Sequence, residues 1–187
     1  MLRACLATRS FSVPAVCAVL AGAAACSGVP AGFERPEQPV PTPEGYVDAS
    51  DPQPISEIAW RYGPAPWRTD AMGDPRIEAE MAGIPYAIEF YGCDQGQGCT
   101  DLRFVTRADL RDSDDPDKPA SRQARVWQAN RWNLERRFGK VSAGEEPGEL
   151  ILEMNATLAG GVTRQNLDAW FDWWRVALTE FQDFTAR

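Results

Sequence analysis

Alternating and helical apolar periods follow one another along the second two thirds of the chain. "RIEAEM" (76–81) sets Ile77, Ala79 and Met81 against Glu78 and Glu80, the period-two pattern of a half-buried strand. Ala82 and Gly83 then predict a tight turn, and "YAIEFY" (86–91) alternates again through Tyr86, Ile88 and Phe90, so the two runs form a hairpin. "DLRFV" (101–105) predicts a third strand. "FGKVS" (138–142) and "ELILEMNATL" (149–158) predict an antiparallel pair, the second with Leu150, Leu152, Met154, Ala156 and Leu158 on one face.

Helical spacing marks three further segments. "PISEIAWRYG" (54–63) places Ile55, Ile58, Ala59 and Tyr62 on one face before Gly63 and Pro64. "SRQARVWQANRWNLERRF" (121–138) has the composition of a helix to about Arg137. The strongest pattern comes last. Thr163 can cap a helix whose stripe is Leu167, Trp170, Phe171, Trp174, Leu178, Phe181 and Phe184. At about 1.5 to 3 kcal/mol per fully buried large side chain, that stripe supplies much of the core. The predicted order is α-β-β-β-α-β-β-α, an α+β fold with a largely antiparallel sheet flanked by helices.

The N-terminal third reads differently. Arg3 and Arg9 lead into "FSVPAVCAVLAGAAA" (11–25), apolar and uncharged but shorter than the roughly 20 residues that span a bilayer. A basic start, an apolar middle and small residues at the end predict a signal peptide over 1–25. Two cleavages fit. "AGAAACSG" resembles a bacterial lipoprotein signal with Cys26 as the lipidated first residue, although Ala23 stands where that pattern carries leucine; plain cleavage after Ala25 fits the small-residue rule as well. Residues 26–53 hold six prolines and little apolar periodicity, which predicts a linker between Cys26 and a domain at 54–187. The expected location is the periplasm, with an outer-membrane lipid anchor or as a secreted protein.

Composition removes several chemistries. The 187 residues carry a net charge of −8, against the basic face that nucleic acid or an anionic membrane surface would require. There is no histidine, hence no Ser-His-Asp or Cys-His arrangement. Cys93 and Cys99 flank a glycine-rich stretch in "EFYGCDQGQGCTDLRF". Five intervening residues suit neither a Cys-x-x-Cys redox pair nor the common zinc spacing, and the remaining cysteines, Cys5, Cys17 and Cys26, lie in or at the signal region. In an exported chain the expectation is a disulfide, with Gly92, Gly96 and Gly98 letting the ring close. The run "DSDDPD" (112–117) lacks the glycine and terminal glutamate of a calcium loop and reads as a solvated approach to a helix. Glu78, Glu80, Glu89 and Glu153 fall on exposed strand faces, and no carboxylate pair stands out for a hydrolase. Trp173 lies off the centre of the last helix's stripe, Trp127 and Trp132 point to different faces of the 121–138 helix, and these three are the candidate partner contacts.

"FYGC" followed by "CTDLRF", then "NRWNLERRFGK", "LEMNATLAGGVTRQNL" and an aromatic-rich last helix resemble the YbjN family of bacterial proteins over about residues 54–184. The departures are an enlarged loop around "RDSDDPDKP" and the long N-terminal extension. The resemblance implies a fold similar to type III secretion chaperones and a role among sensory-transduction regulators. It carries over no catalytic or cofactor-binding residue. The expectation is therefore a non-enzymatic module of the bacterial envelope, without cofactor or metal, that binds a protein or peptide. A homodimer is compatible with the sequence, and membrane attachment would run through Cys26. The alternatives are a carboxylate-dependent envelope hydrolase and a purely structural lipoprotein.

Overall fold

The computed structural model describes residues 44–112, 114, 115 and 117–186. The segment expected to be a signal peptide (1–25), Cys26 and the part of the expected linker up to residue 43 lie outside the described residues. The elements are β1 (Tyr46–Val47), α1 (Pro52–Ala59), β2 (Trp67–Thr69), β3 (Pro75–Met81), β4 (Ile84–Tyr91), β5 (Asp101–Asp109), α2 (Arg122–Glu135), β6 (Lys140–Ala143), β7 (Glu149–Thr157), β8 (Val162–Thr163) and α3 (Arg164–Thr185). Six strands make an antiparallel sheet in the order β2-β3-β4-β5-β7-β6, and β1 pairs with β8. The fold is α+β, as the periodicities require.

Core packing is centred on α3. Phe104 of β5 meets Phe171 edge-on at 5.2 Å and Trp174 at 5.6 Å, and Tyr62 and Tyr86 extend this aromatic group. One helical stretch further along, Phe181 and Phe184 pack on Trp132 of α2. One helix thus holds both the sheet and the second helix, because its stripe continues unbroken for 22 residues. Thr163 caps it, accepting from the Asn166 N–H at 3.2 Å.

Several boundaries differ from the sequence expectation, each for a local reason. α1 begins earlier than Ile55, inside the stretch read as linker. Pro52 and Pro54 occupy its first turn, where no N–H is needed, and Asp51 caps it by accepting from Gln53 N–H at 2.9 Å. β1 and the buried Ala49 also fall within that stretch, so the fold includes residues before 54. β5 continues past Val105 to Asp109, paired with β7 throughout. Its core-facing Thr106 is polar but satisfied, donating to the Pro85 carbonyl at 2.7 Å. The turn between β3 and β4 is as predicted, with Ala82 and Gly83 both left-handed.

Cys93 and Cys99 form a disulfide. Between them Asp94 and Gln97 exchange two main-chain hydrogen bonds around a left-handed Gln95-Gly96 turn, so a hairpin tip is stapled at its base. Replacing both cysteines with serine is expected to lower stability by about 2 kcal/mol, the chain-entropy value for so short a ring, read from denaturant midpoints.

Tyr86 carries a buried hydroxyl without a hydrogen-bond partner among the described residues. Burial, with a smaller contribution from Tyr62, pushes its phenol pKa up. The folded state therefore holds this proton more tightly than the unfolded chain. Its contribution is fully present below an unfolded phenol pKa of about 10 and is lost as pH rises above it. Tyr86→Phe should reduce the loss of stability above about pH 10 while leaving neutral-pH stability within about 1 kcal/mol of the parent. Urea midpoints on either side of that pH measure both effects.

Candidate functional site

The sheet has one covered face and one open face. On the open face an ionic ladder crosses five strands. Arg76 pairs with Glu89, Glu89 with Arg103 at 3.3 Å, Arg103 with Glu153 at 2.9 Å, and Glu153 with Lys140 at 2.6 Å. Register explains most of it, since Arg76 faces Glu89, Glu89 faces Arg103 and Glu153 faces Lys140 across adjacent strands. Burial acts to lower the pKa of Arg76 and Arg103, but their hydrogen bonds and acidic neighbours outweigh it and the net shifts are upward. Glu78, Glu89 and Glu153 are thus members of this network, and Glu80 is exposed.

Lys140, at the end of the ladder, is also the first residue of β6, and there the sheet stops short. β6 pairs only with residues 150–153 of β7, whereas β5 accompanies β7 as far as Thr157. Gly139 sets this limit. Its φ of 74° is left-handed, and it turns the preceding residues out of strand geometry. Trp132 holds the turn by donating its indole N–H to the Gly139 carbonyl at 3.1 Å. The outer edge of β6 is closed by α2, where the Asn133 amide both accepts from Val141 N–H at 2.9 Å and donates to its carbonyl at 3.0 Å.

Those two bonds also fix which main-chain groups face where. Since Val141 directs its N–H and C=O away from β7, its neighbours Lys140 and Ser142 direct theirs toward β7, to Glu153 and Ile151. By the same alternation Asn155 and Thr157 present N–H and C=O to the side that β6 has already left. Both residues are exposed.

A cavity of about 790 Å³ lies against this edge. Three consecutive β7 residues, Glu153, Met154 and Asn155, line it. Adjacent side chains of a strand point to opposite faces, so a cavity touching all three reaches the strand edge itself. Ala169, Trp170 and Trp173 of α3 form a second wall, and Arg136, Arg137 and Phe138 from the α2–β6 connection form a third. Phe138 stacks on Trp173 at 4.1 Å, dividing this space from a smaller cavity of about 270 Å³ beside Val176 and Glu180.

Charge is uneven here. Arg136, Arg137 and Lys140 line the larger cavity with Glu153 as its one carboxylate. Arg136 is engaged by Glu180 at 2.6 Å and Glu135 at 3.5 Å, and Lys140 by Glu153. Arg137 stands over the Phe138 ring at 5.1 Å and makes no ion pair among the described residues. The arrangement can hold an anion beside an aromatic wall.

The three tryptophans proposed as contacts separate. Trp173 is 46% exposed and lines the cavity, while Trp127 is 59% exposed on α2 under Arg131. Trp132 is corrected to core. It is 1% exposed, because Phe181 and Phe184 of α3 cover the face of α2 that carries it. Asn155, Arg137 and Gly139 were missed. The available signal was "RRFGK": a glycine just before a short strand, next to paired arginines. In the acidic loop, the Asp112 carboxylate accepts from the main chain of Asp114 and Asp115, and Lys118 pairs with Asp115 at 2.6 Å. Among the described residues no group of three or more acids or cysteines is arranged to hold a metal ion.

Comparison with known proteins places residues 58–186 in YbjN, the family described as "Putative bacterial sensory transduction regulator". The chain belongs to the YbjN family. A solved structure described as "Crystal structure of YbjN, a putative transcription regulator from E. coli" is similar at 12% identity and a TM-score of 0.48, over 73% of this chain and 90% of that one. No curated protein sequence matches this YbjN-family chain.

Gly139→Ala tests the limit on β6. A Cβ there would lie 2.8 Å from the Leu152 Cδ1 in a backbone conformation unfavourable to alanine. The substitution should cost about 1 to 3 kcal/mol, read from thermal or denaturant unfolding.

Proposed function

We propose that this YbjN-family chain is an exported, lipid-anchored module of the bacterial envelope that binds a protein or peptide and performs no chemistry of its own. The observation that carries the reading is the aromatic and basic cavity at the open β7 edge, where recognition groups converge. The apolar start of the chain and Cys26 support export and anchoring, and the Cys93–Cys99 disulfide fits an oxidising compartment. A regulatory role agrees with the family description. A two-carboxylate hydrolase is less well supported, since Glu153 is the one acid lining the larger cavity and is engaged by Arg103 and Lys140.

Two measurements test this. Mass spectrometry of the protein from its native membrane should find a diacylglyceryl group on Cys26; an unmodified amino terminus there removes the anchor. Affinity capture from envelope extract should enrich the same protein in independent repeats and lose it with Trp173→Ala. Equal capture by parent and variant, or a turnover abolished by Glu153→Gln, overturns the binding reading.

A further inference from the structure

The cavity lies beside the stretch of β7 that β6 leaves unpaired. β7 offers main-chain donors and acceptors at Asn155 and Thr157, β6 ends one pair earlier at Lys140, and α3 overhangs the vacant position with Ala169, Trp170 and Trp173. A strand edge bearing unpaired N–H and C=O groups is a template for another extended segment. Elsewhere this protein closes such an edge. Asn133 occupies the main chain of Val141 on β6, so the vacancy beside β7 is confined to the residues just past it.

We propose that this slot binds an extended segment of a partner protein in which apolar and acidic residues alternate, added as a strand beside Asn155–Thr157. This deepens the binding reading above and rests on it. Backbone pairing would come from Asn155 and Thr157. Alternate side chains of an added strand point to opposite faces, so one set meets the wall of Ala169, Trp170 and Trp173 and the other meets the open face beside Lys140, with Arg137 on the rim of the slot. Charge selects the second set. Arg137 is free of ion pairs among the described residues, Lys140 shares Glu153 with Arg103, and the chain as a whole carries −8. An acidic segment is repelled by most of this protein and attracted at this position, whereas a basic one would bind the surface indiscriminately. The unpaired edge is about four residues long, or roughly 13 Å of extended chain, which sets the expected motif at four to six residues.

The test uses the purified full chain and four fluorescent hexapeptides. One alternates glutamate with valine and phenylalanine, the second replaces glutamate with lysine, and the third keeps the first sequence but carries N-methyl groups that block strand pairing. The fourth is a scrambled sequence of the first composition. Anisotropy reads affinity, and amide hydrogen exchange reads Asn155 and Thr157. The acidic alternating peptide should bind at least about tenfold more tightly than each of the others, and Arg137→Glu should weaken it by about tenfold or more. Exchange at Asn155 and Thr157 should slow on binding. Circular dichroism of the Arg137→Glu variant, exposed and outside the core, establishes that it is folded. Binding that tolerates N-methylation or leaves exchange at Asn155 and Thr157 unchanged overturns the slot while leaving a peptide-binding module elsewhere. Absence of binding by all four peptides overturns the slot, and if affinity capture also fails, the module reading falls with it.

Discussion

The packing of Phe104 against Phe171 and Trp174 is the contact on which the other features depend. It fixes α3 across the middle of the sheet, with Leu167, Phe171, Trp174, Leu178 and Phe181 fully or almost fully buried. Once that stripe is committed inward, the helical period decides the rest. Residues one position off the stripe emerge at its border, so Ala169 and Trp173 are carried over the β7 edge, while Phe181 and Phe184 are left to receive Trp132 of α2. The cavity wall and the anchoring of α2 are therefore two consequences of one docking.

A second constraint acts on the opposite side of the cavity. A continuous β6 would have covered β7 to its end and left no edge. The left-handed Gly139, fastened by the Trp132 indole, takes residues 136–138 away from the sheet and converts a potential strand into an arginine-bearing rim. The same connection brings Phe138 onto Trp173. Shortening a strand thus creates both the vacancy and the groups around it, and Asn133 closes the part of the edge that remains. Natural sheets ordinarily cover such edges, which makes one left open beside an aromatic wall notable.

Much of this order could be read from the sequence because it follows from periodicity. The alternation in β3, β4 and β7 and the stripe of α3 depend on burial of whole faces, a signal spread over many residues. What could not be read depends on single residues or on pairing between distant ones. Pro52, in the first turn of α1, looks like linker until Asp51 is seen to cap the helix. Thr106 interrupts the apolar pattern of β5, though its hydroxyl is satisfied by Pro85. β1 and β8 are two residues each and have no period to detect. Trp132 and Trp127 sit five positions apart on one helix, and only the tertiary location of Phe181 and Phe184 determines which is buried. The cavity was illegible for the same reason, since it is assembled from the end of one helix, the side of another and a strand edge.

The charge of the open face bears on how selective such an edge can be. Main-chain pairing alone accepts almost any extended segment, so discrimination has to come from side chains and from the surrounding field. In the ladder from Arg76 to Lys140, charges alternate and largely cancel, and the glutamates have cationic partners across the strands. Cancellation leaves the sheet face neither strongly attractive nor strongly repulsive, while Arg137, just beyond it, keeps its charge uncompensated by any carboxylate among the described residues. In a chain of net charge −8 a single uncompensated arginine beside an open edge imposes a sign on what pairs there. Reversing that one charge should therefore alter selectivity more than removing any rung of the ladder, because each rung is balanced by its neighbours and Arg137 is not.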